Sequence, residues 1–135
     1  MNTTARTVFA LAASAALLPL SAAATSAVPA KDDGRAEVRV SGDCSARSDW
    51  KLKAKERDGG LEVEFEVDSN RNGQTWTYAI SRNGAQFAQG NRRTVAPSGS
   101  FEVERRTVGN VGPDSVTARA QNARNGEVCL ATLSI

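Results

Sequence analysis

The feature that most constrains the fold of this chain is a segment in which apolar and charged residues alternate one by one on both sides of a short glycine-containing turn. Trp50-Lys-Leu-Lys-Ala-Lys-Glu-Arg57 is followed by Asp58-Gly59-Gly60 and then by Leu61-Glu-Val-Glu-Phe-Glu-Val-Asp68. Side chains of a β-strand point alternately to its two faces, so a period of two means a half-buried strand and not a helix. Two such runs about a turn form a hairpin. With Gly59-Gly60 as the two-residue turn, Arg57 lies opposite Glu62, Lys55 opposite Glu64, Lys53 opposite Glu66 and Lys51 opposite Asp68. The other face then gathers Ala54 with Phe65 and Leu52 with Val67. Each exposed pair contributes only about 0.2–1 kcal/mol, yet a slip of one residue would drive the carboxylates into the core. The charge ladder therefore reads as a register device and not as a binding stripe.

The same alternation continues along the chain. Arg35 to Ser41 forms a first strand with Ala36, Val38 and Val40 on one face, and a loop from Gly42 to Asp49 follows. Thr75 to Ile80 leads into Asn83-Gly84, a strong hairpin signal, which brings the chain back through Gln86 to Thr94 with Ile80 facing Phe87. Phe101 and Val103 head another strand, and Val116, Ala118 and Ala120 alternate up to a turn at Asn125-Gly126. The return strand then sets Ala120 by Ala131 and Val116 by Ile135. No stretch holds helical periodicity over three turns. The expected fold is all-β: an antiparallel two-layer β-sandwich of immunoglobulin-like or fibronectin-like type, with about eight strands and one disulfide.

Domain organisation follows from the N-terminus. Arg6 precedes an apolar run from Val8 to Leu20, about thirteen residues against the roughly 20 that span a bilayer. This is the pattern of a cleavable secretory signal peptide. Ala22-Ala23-Ala24 and Val28-Pro29-Ala30 both offer small residues to a signal peptidase, and cleavage after Ala30 is favoured because the charged run Lys31-Asp32-Asp33 begins there. Residues 1–30 are thus read as the signal and residues 31–135 as a single domain with no transmembrane segment. Cys44 and Cys129 both fall in that domain, and in an oxidising compartment two thiols in one small domain pair as a structural staple. The formal charge of +2 drops to +1 when Arg6 is removed, which gives no support to a nucleic-acid partner. The charge is uneven, however, and the half from Ser69 onward is mildly basic.

The sequence contains no histidine, which removes Ser-His-Asp and Cys-His nucleophile systems and histidine metal ligands. Paired cysteines leave no thiolate for zinc, and no other resident cofactor or metal is expected. A carboxylate pair drawn from Asp43, Asp49, Glu102, Glu104 or Asp114 remains the one formal route to hydrolysis. Asp68, Asn70 and Asn72, with Gly73, open like a calcium loop, but Ala79 stands where the bidentate Glu belongs, so at best a weak site results. Trp50, Trp76 and Tyr78 share strand parity with apolar neighbours and read as core, with Trp76, beside a loop, as the partly exposed alternative. The doublets Arg92-Arg93 and Arg105-Arg106 form a candidate basic patch for an acidic polymer, although adjacent strand residues face opposite ways and each doublet can give only one Arg to a shared surface.

The runs Gly42-Asp-Cys-Ser with Trp50-Lys-Leu-Lys, Val67-Asp-Ser-Asn-Arg with Gly73-Gln-Thr-Trp76, Ser98-Gly-Ser-Phe101 and Asn125-Gly-Glu-Val-Cys129 resemble small secreted proteins of uncharacterised function predicted in actinobacterial genomes. The likeness spans most of residues 36–135 and consists of turn and disulfide features, so it implies a shared fold and carries no catalytic residues. The functional expectation is a secreted, monomeric, non-catalytic binding module of the extracellular space or cell envelope, whose partner is an extracellular protein or a cell-wall polymer. The alternative is a small inhibitor of an extracellular enzyme, presenting Ser69 to Gln74 or Val108 to Asp114 as a rigid loop. An enzyme or a weak calcium-binding module ranks below both.

Overall fold

The computed structural model describes residues 34–109 and 112–135; the signal segment 1–30 and its cleavage point lie outside them. Eight strands follow one another: β1 (Glu37–Asp43), β2 (Asp49–Arg57), β3 (Gly60–Asp68), β4 (Thr75–Arg82), β5 (Ala85–Arg93), β6 (Ser100–Val108), β7 (Ser115–Asn122) and β8 (Val128–Ser134). They make two antiparallel four-stranded sheets, in the orders β1-β2-β3-β6 and β5-β4-β7-β8. The all-β sandwich read from the periodicity is the fold. Inward residues of both sheets, among them Leu52, Phe65, Val67, Trp76, Ile80, Val116 and Leu133, form one core. At one lateral edge β1 and β2 lie against β8, and at the other β5 lies against β6. The Cys44–Cys129 disulfide ties the loop after β1 to β8 across the first of these edges, closing a separation of 85 residues.

Three hairpin registers differ from those expected, each for a physical reason. The β2–β3 turn is Asp58-Gly59 and not Gly59-Gly60: both residues have positive φ, 45° and 78°, as a type I′ turn requires. Arg57 then pairs with Gly60, and the ladder moves by two to Lys55↔Glu62, Lys53↔Glu64 and Lys51↔Glu66, with Leu52 on Phe65 and Ala54 on Val63. A slip of two keeps every side chain on its face, so the alternation survives it. Gly60 sits where a Cβ would come within 1.9 Å of the Thr107 carbonyl oxygen, so close contact with β6 reserves this position for glycine. In β4–β5 the Asn83-Gly84 turn forms as expected, but a bulge after Ile80 sets Ile80 against Ala88 in place of Phe87. In β7–β8 the loop takes in Ala123 to Gly126, because the Asn122 side-chain oxygen accepts the backbone N–H groups of Arg124 and Asn125. Ala118 therefore meets Ala131, Ala120 meets Cys129 and Val116 meets Leu133.

The outer face of the first sheet is a meshed layer of ion pairs. Lys51 binds Glu66 at 3.0 Å, Lys53 binds Glu64, and Glu62 receives Arg57 at 3.5 Å and Arg106 at 2.7 Å. Glu37 is buried under Arg39 and Lys55, and the Arg39 hydrogen bond holds its carboxyl below the usual range against the opposing effect of burial. Asp68 leaves this ladder, because its cross-strand neighbour is Asp49 and not Lys51. Among the described residues no helix is long and apolar enough to cross a membrane.

Candidate functional site

Strand alternation gathers four connections at one end of the sandwich: β1–β2, β3–β4, β5–β6 and β7–β8. Each is bonded to its neighbour. Ser45 N–H donates to the Val128 carbonyl at 2.8 Å, and Val128 N–H returns to Ser45 Oγ at 2.9 Å. Ser48 gives its N–H and its hydroxyl to the two oxygens of the buried Glu127 carboxylate, at 2.8 and 3.0 Å. Ser69 N–H and Oγ both donate to the Gly99 carbonyl at 3.0 Å. Thr94 Oγ1 donates to the Arg71 carbonyl and accepts the Gln74 N–H at 2.9 Å. Gly99, at φ 71°, lies so close to this loop that a Cβ would stand 2.2 Å from the Arg71 nitrogen. Satisfied side-chain-to-backbone bonds of this kind hold irregular backbone in a single conformation.

Two adjoining clefts open between these loops. One, of about 590 Å³, lies between Arg47, Ser48, Asn70, Arg71 and Glu127. The other, of about 800 Å³, runs between Asn72, Thr75, Asn122 and Arg124. Arg71, Gln74 and Asn125 line both, so the clefts share a wall at the end of the sandwich. Apart from Glu127, whose carboxylate is taken by Ser48, no acid among the described residues lines either one.

The calcium-like segment forms part of this end. Asp68 Oδ1 accepts the Asn70 N–H at 3.0 Å, and Asn70 takes φ 54°, so the segment is an Asx turn. Asn72 is exposed and lines the larger cleft. The two Arg doublets divide between different surroundings. Arg92 and Arg105 converge on the buried Tyr78 ring, 5.4 and 5.8 Å from its centroid, and Arg105 donates to the Tyr78 hydroxyl at 2.7 Å. Arg106 turns outward to Glu62, and Arg93 lies beside Gly73. Trp76 is fully buried against Phe101, which answers the question of its exposure, and Trp50 is half-buried with its indole N–H on the Asp43 carbonyl at 3.1 Å.

One acidic cluster and one buried, singly placed carboxylate emerge from the long-range pairing. Glu62, Glu64 and Glu104 bring carboxylate oxygens within 4.8 Å of one another, because β3 pairs with β6 and sets Glu64 against Glu104. Lys53, Arg57 and Arg106 neutralise two of the three, which makes the group an ion-pair network. Asp114, at the opposite end of the sandwich, is gripped by Arg82 through two hydrogen bonds of 3.0 and 2.8 Å and by Asn83 at 2.7 Å. The Arg82 bond, followed by those from Asn83 and the Gly112 backbone, holds its carboxyl below the usual range although burial acts the other way. That grip fixes Asp114 in a structural position.

Sequence reasoning did not single out Gln74, Asn122, Ser48 or Glu127. A signal existed for the first two. Gln74, just before β4, shares the parity of Trp76, Tyr78 and Ile80, and Asn122, the last residue of β7, shares that of Val116, Ala118 and Ala120, so alternation puts each amide on the inward side. Fold and site together define a disulfide-stapled antiparallel sandwich with a polar, loop-built end. The chain matches no protein-family model and no curated protein.

Proposed function

We propose that this chain is a secreted, non-catalytic binding module of the extracellular space or cell envelope, acting as a monomer through its four-loop end. The observation that carries this reading is the pair of adjoining clefts framed by four loops that are hydrogen-bonded in two pairs, β1–β2 with β7–β8 and β3–β4 with β5–β6. A rigid site loses little conformational freedom on binding, which favours recognition. The disulfide suits an oxidising compartment, and the Val8–Leu20 run supports export. The order β2-β3-β6 facing β5-β4-β7-β8 supports an immunoglobulin-like or fibronectin-like topology with β1 added at an edge. The disulfide departs from the antibody pattern, since it joins the β1–β2 loop to β8.

Co-sedimentation of the disulfide-bonded protein with isolated bacterial envelopes tests the proposal. Retention by the wild type and loss by Arg71→Glu supports it; equal retention of both removes the loop end as the binding surface. The inhibitor reading is favoured by one observation, the hydrogen-bonded rigidity of the 69–74 loop. It expects inhibition of a secreted protease or lysozyme that disappears when this loop is replaced.

A further inference from the structure

Two buried, unpartnered polar atoms belong to residues that line the larger cleft. Asn122 is only 2% exposed, and its Nδ2 has no hydrogen-bond partner. Its orientation is fixed from the other side, because Oδ1 accepts the Arg124 N–H at 2.9 Å and the Asn125 N–H at 3.2 Å. Gln74 Oε1 is likewise buried and unpartnered, and both residues line this cleft. Gln74 stands two residues before Trp76, the direct cross-strand neighbour of Asn122, so the two amides share a face at the open end of the core. The Trp76 indole N–H on that face is unpartnered too. Leaving buried groups unsatisfied costs about 1–3 kcal/mol each, which a complementary ligand group recovers.

The pair is one donor and one acceptor, and a hydroxyl group serves both, because it donates one hydrogen bond and accepts others. A bare carboxylate or phosphate only accepts. The rim adds charge: Arg71 and Arg124 are exposed here and Arg47 in the adjoining cleft, and none forms an ion pair with a carboxylate among the described residues. Guanidinium forks match the oxygens of carboxylate and phosphate groups. The two clefts lie side by side and share Arg71, Gln74 and Asn125, which suits a chain more than a compact small molecule.

We infer that the larger cleft binds a hydroxyl-bearing polyanion, a sugar or polyol chain carrying carboxylate or phosphate groups, with a hydroxyl seated on Asn122 and Gln74 and the anion on Arg71 and Arg124. This names the ligand class for the binding module proposed above and rests on that reading. A neutral sugar leaves the guanidinium groups unanswered, and a polyanion without hydroxyls leaves the amide pair unanswered.

Isothermal titration of the disulfide-bonded protein at about 150 mM salt, where long-range charge attraction is largely screened, separates these cases. The probes are oligogalacturonate, poly(glycerol phosphate), dextran and polyacrylate. At least one of the first two is expected to bind about tenfold or more tightly than dextran and polyacrylate, and which of them does so identifies the anion. Arg71→Gln with Arg124→Gln is expected to weaken that binding about tenfold or more, the scale of a charge-assisted bond. Asn122→Asp keeps the oxygen that caps Arg124 and Asn125 but removes the donor, and is expected to weaken binding about fivefold while melting stays cooperative. Should that variant not fold, the Arg71/Arg124 pair alone decides. Equal binding of polyacrylate, equal binding of dextran, or no binding of either hydroxylated polyanion overturns the inference. If envelope retention still depends on Arg71 while both hydroxylated polyanions fail, the ligand class is wrong and the binding module stands; if retention fails as well, both fall.

Discussion

Replacing Asp114 by Ala is expected to cost the protein about 3 kcal/mol, a large part of the stability of a domain this size. The residue is 5% exposed and anchors four elements at once. Its carboxylate accepts two bonds from Arg82 at the end of β4 and one from Asn83 in the following turn, Arg82 reaches on to the Thr107 hydroxyl of β6 at 2.7 Å, and the Asp114 backbone exchanges two bonds with Ile135. Charge-assisted bonds contribute about 1.5–3 kcal/mol and neutral ones about 0.5–1.5. The simple sum overshoots, because the Arg82 side chain is 13% exposed and regains some water when its partner is lost. Urea denaturation with the disulfide intact measures the change, and a double-mutant cycle with Arg82→Met is expected to give a coupling of about 2 kcal/mol. The sign with pH is set by the depressed carboxyl. A group whose pKa is lower folded than unfolded contributes fully above the unfolded value, about 3.9 for Asp, and the contribution is lost as pH falls through the folded value. The wild type should therefore lose stability on acidification below about pH 4, with Asp114→Asn showing a flatter acid limb. A cost below about 1 kcal/mol with zero coupling refutes this account of the pair.

Three other outcomes are expected. Cys44→Ser with Cys129→Ser should lower stability by about 3–5 kcal/mol, since the bridge closes a separation of 85 residues, and a melting temperature unmoved by reductant would contradict it. Gly60→Ala should cost more than about 2 kcal/mol by driving a Cβ into the Thr107 carbonyl, whereas Gly59→Ala, with φ 78° and open space around it, should cost about 1; denaturant midpoints rank the two, and the reverse order would reject the register. Deleting Thr132–Ile135 removes the buried Leu133 and the backbone pairing of Ile135 with Asp114, and should lower the melting temperature by more than about 10 °C in a thermal scan; an unchanged value would refute the pairing of β7 with β8.

Strand existence and the in-or-out sense of each side chain were determined by the sequence alone, because both follow from a local period of two. Leu52, Phe65, Val67 and Ile80 were core by parity before any partner was known, and the Asn83-Gly84 turn and the pairing of the two cysteines were equally legible. Register was not. A shift of two residues leaves every face unchanged, so the hydrophobic pattern could not separate Lys55↔Glu64 from the observed Lys55↔Glu62. The positive φ of Asp58 and the close approach of β6 to Gly60 decided it, and the second of these is a tertiary contact. The candidate site was the least legible part. Arg71 and Gln74 share one loop, but Asn122 is far from it in the chain, and their meeting depends on β4 pairing with β7 while the loop connections stack at one end. Periodicity records what each residue does within its own strand; which strands become neighbours, and which polar groups that leaves unanswered, is settled only when the two sheets close on each other.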